Sequence, residues 1–154
     1  MRRKEQYIPE KEARSILAQH SHGVLSLVDG VRPYAVPINY AFVEGRLLFH
    51  TGHLGKKMEI IEQNPAASFC VIARSDIVLN ELTTDYLSVV VTGKLVRLED
   101  TESAIRKFMQ HYEPINADQL EKEIVKYRRA LVMLELEIEQ ISGKEGRIAT
   151  MRRK

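Results

Sequence analysis

A single cysteine, Cys70, occurs in the 154 residues, so no disulfide can close within the chain. It sits in the apolar run Phe69-Cys70-Val71-Ile72, where a buried, unreactive thiol is expected. Charge of one sign is scarce as well: 23 Lys and Arg oppose 21 Asp and Glu. The resulting net charge of +2 is too small for a nucleic-acid footprint. No apolar run is long enough to span a membrane, and Met1-Arg2-Arg3-Lys4-Glu5 leads into Gln6-Tyr7-Ile8-Pro9 without the apolar centre of a signal peptide. A cytoplasmic protein with no nucleic-acid or membrane partner is the expectation. The basic ends, Arg2, Arg3, Lys4 and Arg152, Arg153, Lys154, read as solvated tails.

Several catalytic signatures are missing. There is no G-x-S-x-G elbow, and Gly55-Lys56-Lys57 lacks the earlier glycine of a nucleotide-binding Walker loop. The histidine pairs His50-x-x-His53 and His20-x-His22 have no Cys or carboxylate at zinc spacing, so no metal is expected. No catalytic acid or base stands out; His50 and His22 are the candidates.

What is present reads as one domain, 1–154, whose 44% hydrophobic content can bury a substantial core. Pro9 opens a helix with Ala13, Ile16, Leu17 and His20 on one face. Three strands follow as a meander: Val24 to Val28, a proline-interrupted segment Arg32 to Val43, and Arg46 to Thr51. Pro37 cannot donate to a ladder, which predicts an edge, a bulge or a place where a ligand meets the backbone. A fourth strand runs from Ala67 to Ala73, and 74–85 is expected as a loop with some extended structure. Tyr86 to Leu98 is a long strand whose Gly93 predicts a bulge or sharp bend. Asp100 and Thr101 cap a helix with the stripe Ala104, Ile105, Phe108, Met109 and Tyr112, and a polar helix covers 118–129. Leu134, Leu136 and Ile138 then alternate with Glu135, Glu137 and Glu139 in a half-exposed strand with an acidic, solvent-facing side. The expectation is mainly β (α+β): six antiparallel strands in a small barrel with peripheral helices.

The chemistry concentrates between Leu47 and Pro65. A strand ends at His50-Thr51-Gly52, a glycine-flanked turn follows, and a helix opens at Lys56-Lys57 with Leu54, Met58 and Ile61 on one face. Helix-initial N–H groups lack intrahelical partners and lie at the positive end of the macrodipole. Two lysines there are unfavourable by up to roughly 1 kcal/mol each unless an anion compensates them. Either the turn binds a phosphate, with Thr51 donating and the glycines allowing close approach, or the lysines are solvated surface residues.

The order and spacing of these segments resemble a known family. The segments are Gly23-Val24-Leu25-Ser26-Leu27-Val28-Asp29-Gly30, Pro33-Tyr34-Ala35-Val36-Pro37-Ile38-Asn39-Tyr40, and Leu48-Phe49-His50-Thr51-Gly52 with Gly55-Lys56-Lys57 and Asn64-Pro65. Tyr86-x-Ser88-Val89 with Gly93, and Ile141-Ser142-Gly143-Lys144, complete the pattern. Over roughly residues 8–146 the chain resembles the FMN-binding split β-barrel of the pyridoxamine 5′-phosphate oxidase-like superfamily, in its nitroimidazole-resistance (Nim) branch. The resemblance implies an obligate homodimer with FMN between subunits. It implies that Pro37, Ile38, Asn39 and Tyr40 line the flavin ring with backbone groups. His50, Thr51, Gly52, Lys57 and, with less support, Lys56 would hold the ribityl-phosphate, and Tyr86 and Ser88 would approach from the partner. The implied activity is an FMN-dependent oxidoreductase acting on a small molecule, nitro-group reduction included. The alternative is a flavin- or haem-binding storage or sensor protein without turnover. The substrate-binding arginine and the C-terminal Arg-x-x-Pro pattern of true pyridoxamine phosphate oxidases are missing after Gly143.

Overall fold

The computed structural model describes residues 4–112 and 114–153. Its strands are β1 (Tyr7–Ile8), β2 (His22–Asp29), β3 (Arg32–Asn39), β4 (Ala41–Val43), β5 (Arg46–Gly52), β6 (Ala66–Val78), β7 (Thr83–Arg97) and β8 (Leu131–Glu145). The helices are α1 (Glu10–Gln19), α2 (Lys56–Gln63), α3 (Thr101–Met109), α4 (Ala117–Tyr127) and α5 (Arg147–Arg152). All strands pair antiparallel in one open sheet of order β3-β2-β6-β7-β8-β5-β4, with β1 added along β8. This is the mainly antiparallel α+β architecture expected of a split barrel. Eight strands appear where six were expected, because 32–43 breaks at Tyr40 and the short β1 joins β8.

The inner face of the curved sheet, α1 and α2 enclose the main core, which includes Leu17, Leu25, Tyr40, Leu47, Phe49, Phe69, Val89 and Leu134. Phe69 sits at its centre, edge-to-face with Tyr40 at 4.9 Å and with Phe49 at 5.1 Å. A second core lies on the opposite face of β4, β5 and β8, where Ala41, Leu48 and Met133 meet Ala104, Ile105 and Phe108 of α3 and Ile124 of α4. The α3 stripe is therefore core-facing. Its N-terminus is capped by the Asp100 carboxylate, which accepts from Ser103 N–H at 3.0 Å.

Gly93 marks a bend, as its position within the strand suggested. The β7–β8 register shifts between Thr92 and Gly93, and a Cβ at Gly93 would stand 1.9 Å from the Glu137 carbonyl oxygen. Several expectations need correction. Residues 74–85 continue the β6–β7 hairpin, with Ala73 unpaired at a bulge and a 3-10 turn over Leu79–Glu81. The bulge inverts the alternation of the strand and hides its period. Leu54 precedes α2 and is 93% exposed, so it belongs to no helical stripe. Cys70 is half-buried on the outer sheet face, and burial raises its thiol pKa. Arg153 is no solvated tail, since its Nε donates to Glu145 at 2.8 Å and its guanidinium also pairs with Glu12. Residues 1–3 and 154 lie outside the described residues.

Register places Pro37, Val24, Cys70, Val90 and Ser142 side by side across the outer face. This face carries apolar side chains in solvent, among them Val28 at 41% exposure, Ile72 at 63% and Ile77 at 77%. Among the described residues no helix is long and apolar enough to cross a membrane.

Candidate anion-binding turn and the open edge of β3

β5 delivers the chain at Gly52 and α2 begins at Lys56. Between them Gly55 adopts φ 118°, ψ 166°, a conformation essentially reserved for glycine. A Cβ there would meet nothing within 4 Å, so the constraint is conformational. The Gly55 carbonyl accepts from Met58 N–H at 2.9 Å and Glu59 N–H at 3.2 Å. The N–H groups of Lys56 and Lys57 lie ahead of these bonds, at the positive end of the helix.

The two lysines differ. Lys56 Nζ pairs with Asp29 Oδ2 at 2.7 Å, which spends its charge within the fold. Lys57 is partly buried, has no carboxylate within 4 Å among the described residues, and has its pKa lowered by desolvation. His50 is exposed, but its pKa is lowered too, first by desolvation and then by the Lys57 charge. Neither His50 ring nitrogen has a hydrogen-bond partner among the described residues. His53 is spent elsewhere, its Nε2 donating to the Arg129 carbonyl at 2.9 Å. The turn thus brings together His50, Thr51, Gly52 and Lys57 around free helix-initial N–H groups, with Lys56 at the side.

Pro37, Ile38 and Asn39 lie on β3, whose only ladder partner among the described residues is β2. Pro33 and Pro37 share an odd parity with Ala35 and Asn39, and the N–H of even-numbered Tyr40 returns to Ser21 O at 3.0 Å. The odd positions therefore turn their backbone groups to the unpaired edge, where proline costs no ladder bond. Ile38 faces the core, and the Tyr40 side chain is fully buried, its hydroxyl donating to Leu17 O at 2.8 Å. Tyr40 C=O accepts from Tyr112 Oη at 2.7 Å, so each polar group of Tyr40 already has a partner in the fold.

Tyr86 and Ser88 lie on the outer face of β7 and are not brought to the turn within one chain. Ser88 pairs with Lys144 on β8 whereas His50 pairs with Met133, eleven residues earlier, since 144 − 133 = 11. That separation is about 36 Å of strand at ~3.3 Å per residue.

Two residues not singled out for the site join its parts. Phe108 stands edge-to-face with His50 at 5.2 Å and 5.4 Å from Tyr112, whose hydroxyl reaches Tyr40 C=O. An aromatic line thus runs from the turn to the end of β3. The helical stripe signalled that both residues were buried, but its spacing could not say which strand they faced.

An open antiparallel sheet with a glycine-capped, lysine-bearing helix start beside its fifth strand defines a split-barrel class. A family model described as Pyridoxamine 5′-phosphate oxidase matches residues 9–145, and the chain belongs to this family. Among solved structures, it is similar to a candidate 5-nitroimidazole antibiotic resistance protein from Bacteroides thetaiotaomicron, with TM-score 0.75 and 21% identity over 90% of this chain and 86% of that one. An FAD and haem binding protein from Mycobacterium smegmatis gives TM-score 0.80 at 17% identity, covering 97% of this chain and 80% of that one. An FAD-binding protein from Mesorhizobium loti gives 0.68 at 24%, covering 91% and 95%. At these identities the likeness is one of fold. No match was found among curated protein sequences.

Proposed function

We propose that the protein binds FMN at a homodimer interface and acts as a flavin-dependent oxidoreductase on a small molecule, nitroaromatic reduction being the favoured reaction. The observation that carries this reading is Lys57, a partly buried cation with no carboxylate partner among the described residues, at the start of α2. A phosphate monoester supplies the missing counter-charge. Gly55 lets the backbone turn toward it, and Thr51 and His50 offer further hydrogen bonds. The open edge of β3 at Pro37 and Asn39 supplies backbone groups for a heteroaromatic ring. Flavin, when bound, supplies the electron chemistry, while the chain binds, orients and desolvates.

Magnitudes favour a buried cleft. Two or three charge-assisted hydrogen bonds give roughly 4–8 kcal/mol, against association costs of at least ~4 kcal/mol. Micromolar retention needs about 8 kcal/mol net, so ring burial must contribute. A second subunit laid on the outer face would cover Val28, Ile72 and Val90 and bring in its own Tyr86 and Ser88. The test is the visible spectrum of the purified protein, followed by FMN titration read by fluorescence quenching. Saturable micromolar binding supports the reading; a colourless protein that leaves FMN fluorescence unchanged refutes it.

The second reading is a flavin or haem carrier without turnover. It draws on His50, the acid or base candidate at the turn, whose pKa is lowered by desolvation and then by Lys57, with no carboxylate raising it. Reduced flavin on the protein that is reoxidised by a nitroaromatic no faster than free FMN selects the carrier.

A further inference from the structure

A cavity of about 480 Å³ lies between the second core's sheet face and helices α3 and α4. Its walls are mostly apolar, chiefly Phe108 and Met109 of α3, Leu120 and Ile124 of α4, and Met133 of β8. Polar groups are few: His50, the amides of Asn116 and Gln119, the Tyr127 hydroxyl, and Glu123, which is exposed. Among the described residues no lysine or arginine lines it. We propose that this cavity binds an uncharged aromatic molecule of two or three fused rings, its polar substituent hydrogen-bonded to His50.

Size sets the upper limit. A cavity of roughly 150 Å³ admits one benzene ring, and 480 Å³ is about three times that volume. Charge sets the class. An anion would find no cation in the lining and would face Glu123, whereas the sulfur, aliphatic and aromatic walls suit a neutral ring. Orientation comes from His50, whose ring nitrogens have no partner among the described residues and whose Phe108 contact holds it at the wall. Neutral imidazole presents one donor and one acceptor, so a hydroxyl, carbonyl or nitro group is served equally well.

His50 also stands beside Lys57, so the cavity and the anion-binding turn share one wall. That the bound ring is the partner of a flavin rests on the function proposed above; that the ring binds does not.

The experiment is calorimetric titration of the protein with 2-naphthol and, separately, with 2-naphthoate, an anion of the same ring size. Expected is saturable binding of 2-naphthol at least about tenfold tighter than 2-naphthoate, a gap that corresponds to one lost or unfavourable polar contact. Leu120→Trp and Ile115→Trp, both at partly exposed lining positions, fill the cavity and should each weaken 2-naphthol about tenfold or more. His50→Phe keeps the aromatic contact and should narrow the preference for 2-naphthol. Equal binding of the two probes, no binding of 2-naphthol, or binding unaffected by whichever tryptophan variant folds overturns the proposal. FMN titration of the same samples separates the two readings: naphthol binding without FMN binding removes the flavin and keeps the cavity, and the reverse removes the cavity alone.

Discussion

Tyr112 donates its hydroxyl to the Tyr40 carbonyl at 2.7 Å, across 72 residues of chain. The bond ties the 3-10 turn after α3 to the end of β3, where the edge strand gives way to β4. Tyr112→Phe removes the donor and leaves a buried carbonyl short of its partner. The expected loss is about 1–2 kcal/mol of unfolding free energy, measured by urea titration. If the tie positions the β3 edge for a ligand, FMN affinity falls in the same variant by more than it does in Phe108→Leu. Equal affinities in the two would confine Tyr112 to stability.

Lys56 and Lys57 are adjacent in sequence and opposite in circumstance. Lys57→Ala should weaken FMN binding about tenfold to a hundredfold, the range for one hydrogen bond to a charged group. Lys56→Ala should cost a few-fold at most, because the Lys56 charge is already met by Asp29. The two FMN titrations read the difference directly. Without ligand, Lys57 carries a charge that partial burial disfavours. A lowered folded-state pKa means that the penalty is present at neutral pH and relieved only as pH rises through it toward 10.5. Lys57→Met should therefore hold or raise the melting temperature of the ligand-free protein at neutral pH, while abolishing any stabilisation by FMN.

Much of this arrangement is legible in the sequence, for reasons that differ by residue. Pro37 announces an edge, a bulge or a ligand-facing place because it cannot donate, and the position of β3 at the end of the sheet order selects the edge. Gly93 announces a bend because a side chain there would strike Glu137. The strand–turn–helix course was legible because threonine, glycine and lysine in that order close β5 and open α2. Residues 74–85 were not, because Ala73 breaks the alternation and leaves Ile77, Leu79 and Leu82 in solvent with no pattern to follow. Phe108 and Tyr112 were legible as a buried stripe only. Their contacts with His50 and Tyr40 are set by how α3 crosses the sheet, and no local spacing encodes that.

His50 provides a pH signature. Its folded-state pKa lies below the ordinary 6.5, from desolvation first and the neighbouring Lys57 second. The unfolded chain therefore binds more protons here as pH falls through 6.5, and stability declines in that window until the folded state protonates too. His50→Gln should flatten the melting-temperature profile between neutral pH and the depressed pKa. Bound phosphate acts with the opposite sign, since an anion beside Lys57 cancels the repulsion. The His50 proton resonance, followed by NMR, should accordingly titrate at higher pH when FMN or inorganic phosphate is present. An unchanged midpoint would place the anion away from His50.

Gly55 and Gly93 separate conformational from steric need. At Gly93 an added methyl would lie 1.9 Å from the Glu137 oxygen, a backbone atom that cannot turn aside without breaking the β7–β8 ladder. Gly93→Ala is expected to cost about 4 kcal/mol or more and to leave little folded protein at ambient temperature. At Gly55 the methyl has free space, and only φ 118° resists it, at about 1–3 kcal/mol. That strain is relieved locally by letting the start of α2 rotate, since the turn is exposed and the Met58 and Ile60 contacts lie further along the helix. Gly55→Ala should consequently remain folded, with circular dichroism close to that of the parent, yet lose FMN affinity because the Lys56 and Lys57 N–H groups no longer converge. Retained affinity with lost stability would show that the glycine serves the turn itself and not a ligand.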